Sequence, residues 1–247
     1  MRRLLSMLTI LLVPSVLPAQ AGKFPPDSLV NTQVIAHGTP VQQVIGQMRN
    51  FTGALGVRCQ FCHVGEEGQP LDKFDFVSDQ KRTKLVARQM MRMVAEINRR
   101  LDTLPGRPGP GLTVTCATCH RGVSRPVPLA TIVADAATNV GADSAVKAYR
   151  ALRERYYGKD AFDFTEFSLN SAALRVGRAN KFAEAFSLLK LNEEFFPASS
   201  AAAVTRGNIE LLRGDTTAAE AAFREAIKRD GANQEPKNRL RDIGKAP

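Results

Sequence analysis

Two stretches decide how this chain is read: Val57-Arg58-Cys59-Gln60-Phe61-Cys62-His63-Val64 and, 57 residues further on, Val114-Thr115-Cys116-Ala117-Thr118-Cys119-His120-Arg121-Gly122. All four cysteines of the chain are used by these two copies of C-x-x-C-H. The pattern is that of c-type haem attachment. Two thiols three positions apart in one turn both reach the vinyl groups as thioethers, and the imidazole that follows is delivered to the iron. A four-cysteine zinc site brings its pairs about 15 to 20 residues apart, whereas 53 residues separate Cys62 from Cys116. A dithiol redox pair has no need of a histidine after the second cysteine, and four cysteines in 247 residues are too few for a disulfide scaffold. The expectation is two covalently attached c-type haems, with thioethers at Cys59, Cys62, Cys116 and Cys119 and iron ligands at His63 and His120.

The second ligand of each iron separates a closed electron carrier from an open catalytic haem, and methionine and histidine are the usual candidates. His37 is the one histidine outside the motifs, so at most one haem is bis-histidine from this chain alone. Met48 precedes the first motif, and Met90, Met91 and Met93 precede the second. A methionine on an apolar helix face ordinarily fills a core; position ahead of the motifs argues for a ligand at Met48 and at one of the second group. The pattern predicts a helix from about Pro40 to Ala54, with Val41, Val44, Ile45, Met48 and Leu55 on one face. A second is predicted from about Ser78 to Leu101, capped by Ser78 or Asp79. Pro105 to Gly111 reads as a loop.

The segments Val44-Ile45-Gly46-Gln47-Met48-Arg49-Asn50-Phe51-Thr52 and Val86-Ala87-Arg88-Gln89-Met90-Met91-Arg92-Met93-Val94-Ala95-Glu96-Ile97-Asn98, each followed by its motif, resemble haem units of the photosynthetic reaction centre cytochrome c subunit family. The resemblance covers about residues 35 to 128. It implies Met48 with His63 on one iron and Met90 with His120 on the other, the latter because the ligand in that family is the first methionine of A-R-x-M-x-x-M. His37, Met91 and Met93 stand as the alternatives. That family usually carries four haems; with cysteines for two, the resemblance implies a short, dihaem member.

Outward from the motifs, Arg2 and Arg3, the apolar run Leu4–Val13 and the small residues Ala19-Gln20-Ala21 read as a signal peptide over residues 1–21. A retained signal anchor is the alternative. The expected location is periplasmic or exported, at the outer face of the inner membrane if anchored. A composition 44% hydrophobic and 23% charged excludes a wholly disordered or fibrous chain. Of the net charge of +10, two arginines belong to the signal and +6 falls in residues 22–130. Beside haem this excess suits propionate neutralisation, with Arg58, Arg88, Arg92 and Arg121 as candidates, and steering of an acidic redox partner. Nucleic acid is not an expected partner.

Residues 131–247 hold no cysteine, histidine or methionine, and Pro126 and Pro128 mark the change. Offsets of 34 relate Ala185 to Ala219, Leu189 to Phe223 and Asn180 to Gly214, a period that resembles tetratricopeptide repeats. Arg213-Gly214-Asp215 reads as an inter-helix turn. The expected fold is mainly α: a dihaem cytochrome c domain over 22–130, then a tetratricopeptide-like domain over 131–247 that docks a protein partner. The expected function is electron transfer between a redox donor and acceptor, such as a membrane reaction centre or another membrane complex. Two rivals remain: a peroxidase-like dihaem enzyme, and an interaction or sensor protein.

Overall fold

Helix ends in this chain are set by residues that adopt left-handed backbone or cannot donate. The computed structural model describes residues 23–105 and 112–247; the expected signal peptide and most of the Pro/Gly loop lie outside the described residues. Pro40 precedes helix α1 (Val41–Leu55) and Gly56, at φ 64°, closes it. The Gly56 N–H donates to the Gly53 carbonyl at 3.3 Å and the Val57 N–H to Thr52 at 3.1 Å, a Schellman end that turns the chain straight into the first motif. Helix α2 spans Arg82–Leu101 and starts four residues later than its apolar pattern suggests. Ser78 and Asp79 do not cap it. Asp75 Oδ1 instead accepts from the Val77 and Ser78 N–H groups at 2.9 and 2.8 Å, which holds residues 75–78 in a loop.

After α2 come α3 (Cys116–His120), α4 (Leu129–Asn139), α5 (Ala142–Tyr156), α6 (Glu166–Arg178), α7 (Phe182–Phe195), α8 (Ser200–Arg213), α9 (Thr216–Arg229) and α10 (Glu235–Asp242). The fold is mainly helical as expected, and among the described residues the one β feature is an isolated bridge between Val64 and Asp75. The chain divides into two compact units between Cys116 and Ala117.

The second unit carries the larger core. Helices pack as neighbouring pairs, α4 on α5, α6 on α7 and α8 on α9, with α6 also against α8 and α10 against α9. Tyr149, Leu169, Val176, Leu188, Leu189 and Ile209 are fully buried in one cluster, and Phe223, Ala219 and Leu240 in another. Starts of α6 and α8, and of α7 and α9, lie 34 residues apart. The turns within the last two pairs use Asn180 at φ 60° and Gly214 at φ 87°, so Arg213-Gly214-Asp215 ends α8, and Asp215 caps α9 through the Ala218 N–H. In the first unit only Val44, Ala54 and Phe74 are buried apolar residues among those described.

A Cβ at Gly207 in α8 would stand 2.4 Å from the ring of fully buried Phe223. Alanine improves helix propensity by about 1 kcal/mol, but overpacking against a ring that cannot move typically costs about 1–3 kcal/mol. Gly207→Ala is therefore expected to lower the stability of this unit by up to about 2 kcal/mol net, read as a lower urea midpoint at unchanged slope.

Candidate haem-binding sites

The first motif forms a single 3-10 turn, Cys59–Phe61, in which the Cys62 and His63 N–H groups both donate to the Cys59 carbonyl, at 3.2 and 2.9 Å. That turn brings both thiols and the imidazole to one end of α1. Cys59 and Cys62 are half-buried free thiols. Burial pushes the Cys62 thiol up, with Thr83 pulling the other way. Thr83, in the first turn of α2, also donates through Oγ1 to the Phe61 carbonyl and so ties α2 to the motif.

His63 is half-buried, and its Nδ1 is buried without a hydrogen-bond partner. Burial, followed by the Lys84 cation, pushes its pKa down to about 4, against weaker opposition from the Phe76 backbone and Asp75. The imidazole is therefore neutral, the form an iron requires. Phe76 meets it edge-on with ring centroids 4.9 Å apart, and Phe74 stacks behind Phe76 at 5.6 Å. Gly65 lies against Phe74, where a Cβ would come within 2.5 Å of the ring.

The Phe76–Asp79 strap is held by charge. Lys84 Nζ donates to the carbonyls of Phe76, Val77 and Ser78 at 2.9, 2.9 and 2.8 Å and lies 3.3 Å from Asp79 Oδ1. Burial lowers the Lys84 pKa and Asp79 opposes this; three acceptors on one nitrogen require the three protons of an ammonium. Arg88 donates to Asp79 Oδ2 at 2.8 Å and to the Asn31 carbonyl at 3.0 Å, while Asn31 Nδ2 donates to the Val77 carbonyl at 2.7 Å. Of the four arginines expected near propionates, Arg88 is committed to this network; Arg58, Arg92 and Arg121 are exposed. Neither Lys84 nor Asn31 stood out in the sequence, because their partners lie in loops without a pattern.

The second motif is the one-turn helix α3, with Cys116 half-buried and Cys119 exposed. Its histidine is oriented by its own downstream turn. Arg121 at φ 48° and Gly122 at φ 87° reverse the chain, the Val123 N–H donates to the His120 carbonyl at 3.0 Å, and His120 Nδ1 lies 2.9 Å from the Val123 carbonyl. Only a protonated Nδ1 can bond a carbonyl, which leaves the Nε2 lone pair for a metal. On the approach to the motif, Asn98 Nδ2 donates to the Val114 carbonyl at 2.9 Å and Asn98 Oδ1 accepts from the Val114 N–H at 2.8 Å. Asn98 thereby fixes the chain two residues ahead of Cys116.

The candidate methionines divide by exposure. Met48 and Met91 are half-buried, whereas Met90 and Met93 are 38% and 48% exposed and lie with Val86 at positions i, i+4 and i+7 of α2. His37 is exposed, its Nδ1 3.4 Å from Thr32 Oγ1. An apolar stripe on α2, an unpartnered buried imidazole nitrogen and a unit with three buried apolar residues fit a large flat apolar group bearing a metal that prefers nitrogen and thioether donors.

A family model of the photosynthetic reaction centre cytochrome C subunit matches residues 26–190, two thirds of the chain. The chain belongs to this family of c-type cytochromes, and its members carry covalently bound haem and move electrons. The match extends past the second motif through α4–α6 and into α7. Cytochrome c-554 of Chloroflexus aurantiacus is 38% identical over 93 residues, a stretch that is 37% of this chain and 20% of that protein. This chain thus matches only a fifth of that relative's length. No solved structure matches.

Asp79 is the carboxylate that pairs with the strap's cations, and its pairing with Arg88 first, then Lys84 and Asn31, holds its pKa down at about 2. A carboxylate with a folded pKa below its unfolded value adds stability that is fully present above the unfolded value near 4 and lost as pH falls through the folded one. Asp79→Asn is therefore expected to be less stable than the wild type at pH 7. Thermal melts taken from pH 5 down to pH 2 should bring the two midpoints together.

Proposed function

We propose that this protein is an exported dihaem cytochrome c, with one haem held by Cys59 and Cys62 and ligated by His63 and Met48, and a second held by Cys116 and Cys119 and ligated by His120 and Met90. The observation that carries this reading is the repeated arrangement of a methionine-bearing helix followed by a C-x-x-C-H turn. When bound, each haem supplies one-electron gain and loss at an iron whose positions are all filled, with none left for oxygen, peroxide or nitrite. The chain's own residues do the rest. The four cysteines would hold the two groups to their turns as thioethers, the Nδ1 bond to Val123 sets the His120 tautomer and ring plane, and Phe76, with Phe74 stacked behind it, packs edge-on against His63. Soft methionine sulfur favours the reduced metal and so raises the potential above that of a bis-histidine site.

Residues 1–21 would direct export, placing the protein in the periplasm or at the outer face of the inner membrane. No helix among the described residues is long and apolar enough to cross a membrane. The donor and acceptor would be redox proteins, a membrane reaction centre or another membrane electron-transfer complex among them, met through basic residues of the haem-bearing half. The regular 34-residue spacing of α6–α9 supports a tetratricopeptide-like region that docks a protein partner. The electron carrier is favoured over a peroxidase by the supply of a methionine ahead of each motif.

The ferric near-infrared spectrum tests the ligands. Met48→Ala and Met90→Ala are each expected to remove one of two methionine-to-iron bands while haem content stays at two per chain. An unchanged spectrum in either variant transfers that ligand to Met91, Met93 or His37. High-spin ferric haem in the wild type, with rapid peroxide binding, would replace the carrier by the enzyme.

A further inference from the structure

We propose that Lys84 is a positioning residue whose fixed positive charge beside His63 makes the first haem the higher-potential of the two, so that an electron entering the protein comes to rest there. The inference rests on the ligation set out above and adds to it an asymmetry between the sites.

At the first site, the side chains of Lys84 and Arg88 are only 11% and 9% exposed. Lys84 spends its three protons on the carbonyls of Phe76, Val77 and Ser78, and the Phe76 ring is the one that meets His63. One residue therefore separates the ammonium from the imidazole, and the strap cannot shift without breaking three bonds. Asp75, whose N–H donates to the carbonyl of Val64 next to His63 at 2.9 Å, carries a charge of the opposite sign on the same segment. Oxidation adds one positive charge at the iron. A fixed cation close by and out of water disfavours that charge, because Coulomb interactions in a partly buried site are several-fold stronger than in bulk water.

At the second site the bias runs the other way. His120 bonds through Nδ1 to the Val123 carbonyl, which raises the basicity of its other nitrogen and stabilises the oxidised metal. The Lys84 charge at the first site and the Val123 bond at the second thus both place the first haem above the second.

The test is a potentiometric titration of the full holoprotein, followed at the α-band, for the wild type, Lys84→Gln, Lys84→Arg and Asp75→Asn. Two one-electron steps are expected. Lys84→Gln should change the reduction equilibrium of the upper step about tenfold against reduction, which is about 59 mV downward for one electron. Lys84→Arg should leave that step near its wild-type value, and the lower step should stay put in all variants. Asp75→Asn keeps the Oδ1 acceptor for Val77 and Ser78 but removes an opposing charge, so it should move the upper step upward. Opposite signs for the two charge changes mark electrostatics, since a loosened strap would move both the same way. Shifts of one sign, shifts on the lower step, or none at all in a protein with two haems and two methionine bands would overturn this inference and leave the ligation standing. A wild type with a single haem or without those bands would overturn both.

Discussion

One ammonium and three carbonyls hold the loop beside His63 in the first unit of this protein. Lys84 leaves the first turn of α2 and gathers the backbone of Phe76, Val77 and Ser78, a segment that would otherwise be an unsupported loop. The unit buries few apolar side chains, so it lacks the ordinary means of fixing a loop. Hydrogen bonds to a charged donor are worth about 1.5–3 kcal/mol each, more than neutral ones, and a buried donor that loses its acceptors is penalised further. Asp79, Arg88 and Asn31 complete the arrangement, and each binds across at least nine residues of sequence. The Phe76 ring stands beside His63 because of it.

The two units solve different problems. In the second, paired helices bury Tyr149, Leu169, Phe223 and their neighbours, and tight turns at Asn180 and Gly214 keep consecutive helices antiparallel and close. That is folding by hydrophobic burial, the usual route for a helical array. In the first, charge, short polar contacts and the Schellman end of α1 keep the thiols, the imidazole and the methionine helices in place, while the apolar stripe of Val86, Met90 and Met93 on α2 stays open. So few buried apolar side chains fit a unit that takes up a prosthetic group larger than any side chain.

Membership of the reaction centre cytochrome family accounts for the motifs and extends well into the helices that follow them. The family match runs on through residues 131–190, past the change in composition near Pro126 and Pro128.

Much of the candidate site was legible in the sequence. Cysteine and histidine spacing is a local property, and a C-x-x-C-H turn needs nothing distant to be recognised; the helical period of Val41, Val44, Ile45 and Met48 announced α1 in the same way. The late start of α2 was not legible, since Ser78 and Asp79 are good caps by type and are diverted by Asp75, Arg88 and Asn31. The bracing of Val114 by Asn98, the tautomer imposed on His120 by Val123 and the proximity of Lys84 to His63 were equally hidden. Local chemistry, thioether spacing and helix period, is written in consecutive residues and so was determined by the sequence alone. Which charges and carbonyls surround each imidazole depends on contacts between residues far apart in the chain, and only the tertiary structure decided that.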